Sequence, residues 1–289
     1  MKKALGLVAV PVAIGGAVWA ATRHPNVLSR LLTPPRMPVG HRPEDFGLEA
    51  ETVEMQSAAG TKLHAWFVAR PEPAPAVLVM HGWSGNSGFM LPIGRPLHDA
   101  GFHVMFLDGR SHGFSEYDPF TGMPKFAQDV ETGLDWLENS PIVTSVALLG
   151  HSAGASAVLL AASRRPEVGA VVSVSAVADP RDMKWAILPK RWQQSYAEHM
   201  IRTAGFAHLD DHIPVYRIGA ITAPIMLIHG ARDFVVGIEH FENLTAARPD
   251  AETLLLPEAG HASLEGFMPA VTPVIGFLRR SLLAASSEA

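Results

Sequence analysis

The sequence predicts an α/β fold, with a mostly parallel central sheet, helices on both faces and a small helical cap insertion. Short apolar runs rich in β-branched residues recur along the chain, and longer segments of helical character separate them. One interval, 179–223, lies between two expected strands and is too long for a simple connection.

The first elements differ in kind from the rest. Residues 4–22 follow Lys2 and Lys3 and carry no charge, and this is close to the length a helix needs to cross a hydrocarbon core. Segment 1–22 is therefore read as a membrane anchor, with a secretory signal cleaved near Val18, Trp19 and Ala20 as the alternative. The first reading implies membrane association through a single N-terminal segment, the second a secreted or periplasmic protein. Basic residues flank the segment on both sides, Lys2 and Lys3 before it and Arg23, Arg30 and Arg36 after it, so charge sets no orientation. Residues 23–47 hold Pro25, Pro34, Pro35, Pro38 and Pro43, which break regular structure and suit an extended linker. The catalytic domain is expected over 48–289.

Within it, 53–55 and 63–68 flank Ala59-Gly60 and read as an opening antiparallel hairpin. The runs 76–80, 103–107, 145–149, 170–174, 225–228 and 253–256 follow as strands, those before the last with the continuous apolar pattern of strands buried on both faces. Helices are expected over 89–100, 126–138, 153–165 and 239–247. Right-handed crossovers gather the carboxyl ends of the parallel strands on one edge, so the polar residues there are the candidates for chemistry. In the 179–223 insertion, Trp192, Tyr196 and Met200 recur every fourth residue and share one helical face. That face either lines an apolar substrate pocket, which suits medium-chain acyl groups, or seals the insertion onto the core.

Bulk composition narrows the function classes. A chain of 289 residues, 48% hydrophobic and 18% charged, can bury a substantial core and is not globally disordered. The formal charge of −5 supplies no basic field for nucleic acid. The absence of cysteine excludes disulfides, thiolate metal sites and a cysteine nucleophile. No dinucleotide or P-loop motif is present, and no cofactor or metal is implied. The stretch from His208 to His212 offers two imidazoles but reads as a polar helix end or loop.

The strongest motif is Gly150-His151-Ser152-Ala153-Gly154, set directly between an expected strand and an alanine-rich helix. A serine on so sharp a turn needs neighbours without bulk, and the helix that follows directs free N–H groups toward it. A serine hydroxyl also needs a base. His261, in Gly260-His261-Ala262 after the last strand, has the right position and chain order. The base in turn needs a carboxylate at its far nitrogen. Asp233, just past the strand 225–228, is the leading candidate, and Asp179 is the reserve. The oxyanion of an acyl-transfer intermediate needs donors, for which the amides of Ala153 and of Trp83, in His81-Gly82-Trp83-Ser84, are the candidates.

These motifs are similar to those of the α/β-hydrolase superfamily of serine esterases, lipases and acylhydrolases, over roughly 48–283. The stretch from Asp108 to Ser115, with Arg110 and His112, resembles a loop many members carry before their elbow, which implies that it organises loops near the site. His151 holds the elbow's variable position and is read as a packing or hydrogen-bonding residue. Where some members have a histidine and three glycines, this chain has His81-Gly82-Trp83, a departure from the triple-glycine group. The resemblance implies hydrolysis of a small-molecule carboxylic ester through an acyl-enzyme. Acyl transfer, thioester or amide cleavage and perhydrolysis could use the same residues, and a non-catalytic membrane-bound binding protein is the contrasting class.

Overall fold

A computed structural model of the protein describes residues 35–118, 121–183, 208–262 and 264–283. The N-terminal segment 1–22 and the residues Trp192, Tyr196 and Met200 lie outside these, as does the whole of 184–207 within the 179–223 insertion. Among the described residues no helix is long and apolar enough to cross a membrane.

The apolar runs form eight strands: β1 (Glu51–Gln56), β2 (Lys62–Val68), β3 (Ala74–Met80), β4 (His103–Asp108), β5 (Val143–His151), β6 (Ala170–Val174), β7 (Ile225–Gly230) and β8 (Glu252–Leu256). They make one sheet in the order β1-β2-β4-β3-β5-β6-β7-β8. The opening hairpin is antiparallel, β2 is antiparallel to β4, and every later pairing is parallel.

Alternation along the strands builds two apolar layers. Ala76, Leu78 and Met80 of β3, with Met105 and Leu107 of β4 and Leu148 of β5, face one core. The intervening Val77, Val79, Val104, Phe106, Ala147 and Leu149 face the other. Both faces are dry because helices cover both, which is why these strands are apolar at every position rather than at every second one. The helices α1 (Met123–Glu138), α2 (Ala153–Ala162) and α3 (Ile238–Ala247) contribute Phe126, Val130, Leu134, Val158 and Leu244 to the first layer. A fourth helix, α4 (Val271–Leu282), seals the second with Val274, Phe277, Leu278 and Leu282.

The stretch expected as one helix over 89–100 is broken. Two short helices, Ser87–Met90 and Gly94–Asp99, flank a 3-10 turn at Leu91–Ile93, where Pro92 lacks the N–H a continuous helix would use. Helix α2 ends at Ala162, short of the expected 165. In the proline-rich stretch, Val39 and Phe46 pack against the second core, and Asn86 donates to the carbonyls of Met37 and Pro38, both at 3.3 Å. On either side of 184–207 the described segments of the insertion are short helical turns, Pro180–Asp182, Asp210–His212, Pro214–Arg217 and Ile218–Ala220.

Candidate active site

Four loops leave the carboxyl ends of β3, β5, β7 and β8 at one edge of the sheet, and they carry Trp83, Ser152, Asp233 and His261 respectively. Strand β5 turns sharply into α2 at Ser152, whose backbone takes φ 56° and ψ −121°. Such a conformation is close to glycine-only territory and costs about 1–3 kcal/mol for other residues. The surroundings enforce it. The Ser152 amide donates to the Val174 carbonyl of the neighbouring strand end at 2.8 Å, and its carbonyl accepts from Ser156 at 3.1 Å. The flanking glycines leave no alternative residue: a Cβ on Gly150 would lie 2.3 Å from the Gly154 carbonyl oxygen, and one on Gly154 would lie 2.3 Å from that of His81. Among the described residues, left-handed φ at non-glycine positions occurs at Ser84, Ser111, Ser152 and Ser175, each just past the carboxyl end of β3, β4, β5 or β6. Backbone strain is thus gathered at the edge that carries the site.

The structure brings Ser152, His261 and Asp233 into one line. Ser152 Oγ lies 2.9 Å from His261 Nε2, and His261 Nδ1 lies 2.8 Å from Asp233 Oδ2. An ionised carboxylate only accepts, so Nδ1 carries the hydrogen and Nε2 presents its lone pair to the serine hydroxyl. The second oxygen of Asp233 accepts the amides of Val235 at 3.0 Å and Val236 at 2.8 Å, which fixes the carboxylate plane. Burial pushes the Asp233 carboxyl up, but the hydrogen bond from His261, the Val236 amide and the charge of the imidazole together hold it below the ordinary carboxylate value. The reserve acid, Asp179, is engaged elsewhere: Arg181 grips both its oxygens through Nε at 2.9 Å and extends to Tyr216 Oη at 2.8 Å.

The loop after β3 runs beside the serine. A methyl group on Gly82 would stand 3.0 Å from Ser152 Cβ, so no side chain fits between the two. Gly82 and Gly85 close a turn through an amide-to-carbonyl bond of 2.9 Å, and Trp83, an exposed residue, sits within it. Among the described residues the amides of Trp83 and Ala153 donate to no other protein group. His81 accepts the Gly109 amide at Nε2 (3.0 Å) and donates from Nδ1 to the Gly82 carbonyl (2.8 Å).

Behind this loop the segment 108–118 forms a buried polar brace. Asp108 accepts from the Ser87 amide (2.7 Å), the Phe114 amide (3.0 Å) and His64 Nδ1 (3.0 Å). The fully buried Arg110 pairs with Asp129 and Asp118, and Lys125 joins Asp118. These residues tie loops together and make no bond to the serine, as the family resemblance implied.

His151, read from the sequence as a packing or hydrogen-bonding residue, makes a bond whose partner the sequence did not name. His151, the elbow's variable residue, donates from Nε2 to the main-chain carbonyl of His261 at 2.8 Å, joining the serine turn to the histidine loop. The side-chain type was visible in the sequence, but its partner, 110 residues away, was not. Burial, then repulsion from His261, pushes the His151 imidazole down to about 4. In the insertion, His212 Nδ1 accepts from Arg164 at 2.9 Å, and among the described residues no cluster of three or more His, Asp or Glu is placed to hold a metal.

Comparison with known proteins agrees with this architecture. The family described as serine aminopeptidase, S33, matches residues 71–217. The uncharacterized protein YfhR of Salmonella typhimurium is 30% identical over 227 residues, covering 74% of this chain and 75% of that protein. The protein bem46 of Schizosaccharomyces pombe is 28% identical over 171 residues, covering 55% of this chain and 56% of that protein. Among solved structures, an esterase of Pyrococcus furiosus superposes with a TM-score of 0.68 at 25% identity, covering 87% of this chain and 98% of its own. The sheet order, the elbow and these likenesses lead to one conclusion: the chain belongs to the S33 serine aminopeptidase family of α/β-hydrolases.

Proposed function

We propose that this protein is a serine hydrolase that cleaves small-molecule carboxylic esters through an acyl-enzyme on Ser152. The observation that carries the reading is the unbroken relay from Asp233 through His261 to Ser152, at 2.8 and 2.9 Å. His261 takes the hydroxyl proton as Ser152 Oγ attacks the ester carbonyl, and Asp233 stabilises the imidazolium that forms. The negative charge on the former carbonyl oxygen is received by the amides of Ala153 and Trp83. Such donors act on the transition state more than on the ground state, and losing one costs about 10²–10³-fold in kcat. His261 then protonates the leaving alkoxide. A water molecule, deprotonated by the same imidazole, attacks the acyl-serine, and collapse of the second tetrahedral intermediate releases the acid and restores Ser152. A relay this complete favours catalysis over a binding protein that has lost it.

The same proposal keeps Trp192, Tyr196 and Met200 as an apolar lining for the acyl chain, within a cap at 179–223 of a catalytic domain that begins near residue 48. It also keeps residues 1–22 as a membrane anchor, which sedimentation of the full chain with membranes, lost on deleting those residues, would support.

The test is a panel of p-nitrophenyl esters of increasing acyl length beside matched thioesters and anilides. Ester turnover with a chain-length optimum, absent in Ser152→Ala, is the expected result. Faster cleavage of the anilide or thioester would assign a different acyl bond to the site.

A further inference from the structure

The two peptide units flanking Trp83 are each gripped by a buried imidazole. The unit before it is held by its carbonyl, since Gly82 O accepts from His81 Nδ1 at 2.8 Å. A trans peptide points its N–H opposite to its C=O, so this bond turns the Trp83 N–H to the other side. The unit after it is held by its amide: Ser84 N donates to His112 Nε2 at 3.1 Å. The second grip has the harder task, because Ser84 sits at φ 61°, a left-handed conformation that a free serine rarely adopts.

His112 is well built for it. Its Nδ1 donates to the Arg110 carbonyl at 2.8 Å, which fixes the hydrogen on that nitrogen and leaves the Nε2 lone pair for Ser84. The Arg110 side chain is clamped by Asp129 and Asp118, so the anchor beneath the imidazole is rigid. The ring is wedged between Phe126, at 5.0 Å between centroids, and His81, at 4.9 Å, and meets the Trp83 indole at 5.8 Å. Burial, then the neighbouring His81, pushes the His112 imidazole down to about 3, so the lone pair is available at neutral pH.

We infer that His112 is a positioning residue: by accepting the Ser84 amide it holds the 82–85 turn in its strained form, with the Trp83 N–H aimed at the acyl oxygen over Ser152. This rests on the reading of Ser152 as the acylated nucleophile and adds to it a residue that touches no substrate. A left-handed turn without that acceptor relaxes, and a donor that is present but misaimed stabilises the transition state less while leaving substrate binding intact.

The experiment uses the full chain and compares wild type with His112→Leu, His112→Asn and His112→Gln. kcat and KM for a p-nitrophenyl ester are measured alongside inhibition by a trifluoromethyl ketone, which mimics the tetrahedral intermediate, and by the product carboxylate, which does not. His112→Leu is expected to lower kcat and kcat/KM together by about tenfold or more and to weaken the ketone in parallel, with KM and the carboxylate unchanged. His112→Gln, which restores an acceptor oxygen within reach of Ser84, recovers most of the loss. If the leucine variant does not fold, His112→Asn, whose shorter amide leaves Ser84 unpaired, carries the same expectation. Unchanged kcat in a folded leucine or asparagine variant, or a loss confined to KM, overturns the inference. So does a folded glutamine variant as impaired as leucine. Wild type without Ser152-dependent turnover overturns the functional reading itself, and this inference with it.

Discussion

Asp233 holds His261 with one oxygen, at 2.8 Å, and its own turn with the other, through the amides of Val235 and Val236. The carboxylate is therefore fixed before it orients the imidazole. Asp233→Asn preserves the size of the side chain but presents an amide that can donate, which favours the tautomer with hydrogen on Nε2 and no lone pair for Ser152. kcat is expected to fall by about 10⁴-fold, the scale of the same substitution in a serine triad. Asp179→Asn, whose carboxylate serves Arg181, leaves turnover at the wild-type level. Steady-state kinetics on the two variants checks the assignment, and a larger loss in Asp179→Asn would reverse it.

The strained serine makes a stability prediction opposite in sign to its functional one. Relief of the conformation at φ 56°, ψ −121° should return about 1–3 kcal/mol, and the extra freedom of glycine in the unfolded chain removes only about 0.4–1 kcal/mol. Ser152→Gly should therefore be inactive yet melt at a higher temperature than Ser152→Ala. Equal melting temperatures would mean the turn holds no such strain.

The glycines divide into two groups. Gly150→Ala and Gly154→Ala drive a methyl group to 2.3 Å from backbone oxygens that cannot move independently of the elbow, and the loss of stability is expected to reach about 3 kcal/mol or more. In Gly82→Ala the methyl meets Ser152 Cβ at 3.0 Å, so the chain folds while the serine or the Trp83 turn shifts. A displacement of that kind costs roughly 10²-fold in kcat. Thermal melts and kinetics on the three variants separate the groups, and a fully active Gly82→Ala would refute the close approach.

Acid should destabilise the protein partly through His151. The unfolded imidazole binds a proton near its ordinary value of 6.5, whereas the native one resists until about 4. Where the unfolded state holds more protons, stability rises with pH. The contribution is therefore complete above about 6.5 and is lost as pH falls through about 4. His151→Gln can still donate to the His261 carbonyl but does not titrate, so its melting temperature should decline less steeply across this window. An identical slope would place the acid sensitivity elsewhere.

Much of the fold was legible because burial on both faces writes itself into composition. All eight strands lie where apolar runs were read, displaced only at their ends, since a strand's last residues are set by neighbours rather than by its own pattern. The continuous helix expected over 89–100 failed at Pro92, a local signal outweighed by the surrounding periodicity. Helix α4 was not read at all, although Val274, Phe277, Leu278 and Leu282 have the spacing of a buried helical face. That Ser152, Asp233 and His261 meet at one sheet edge could be read because each follows a strand in a recognisable loop. The bonds from His151 to the His261 carbonyl and from Ser84 to His112 could not, since main-chain partners leave no trace in residue identity.

Ser152 as the nucleophile and His261 as its base can be checked together by intact mass spectrometry after brief treatment with a fluorophosphonate. The expected result is a single adduct that maps to Ser152, absent in Ser152→Ala and formed far more slowly in His261→Ala. Undiminished labelling of Ser152→Ala, or labelling of His261→Ala at the wild-type rate, would contradict it.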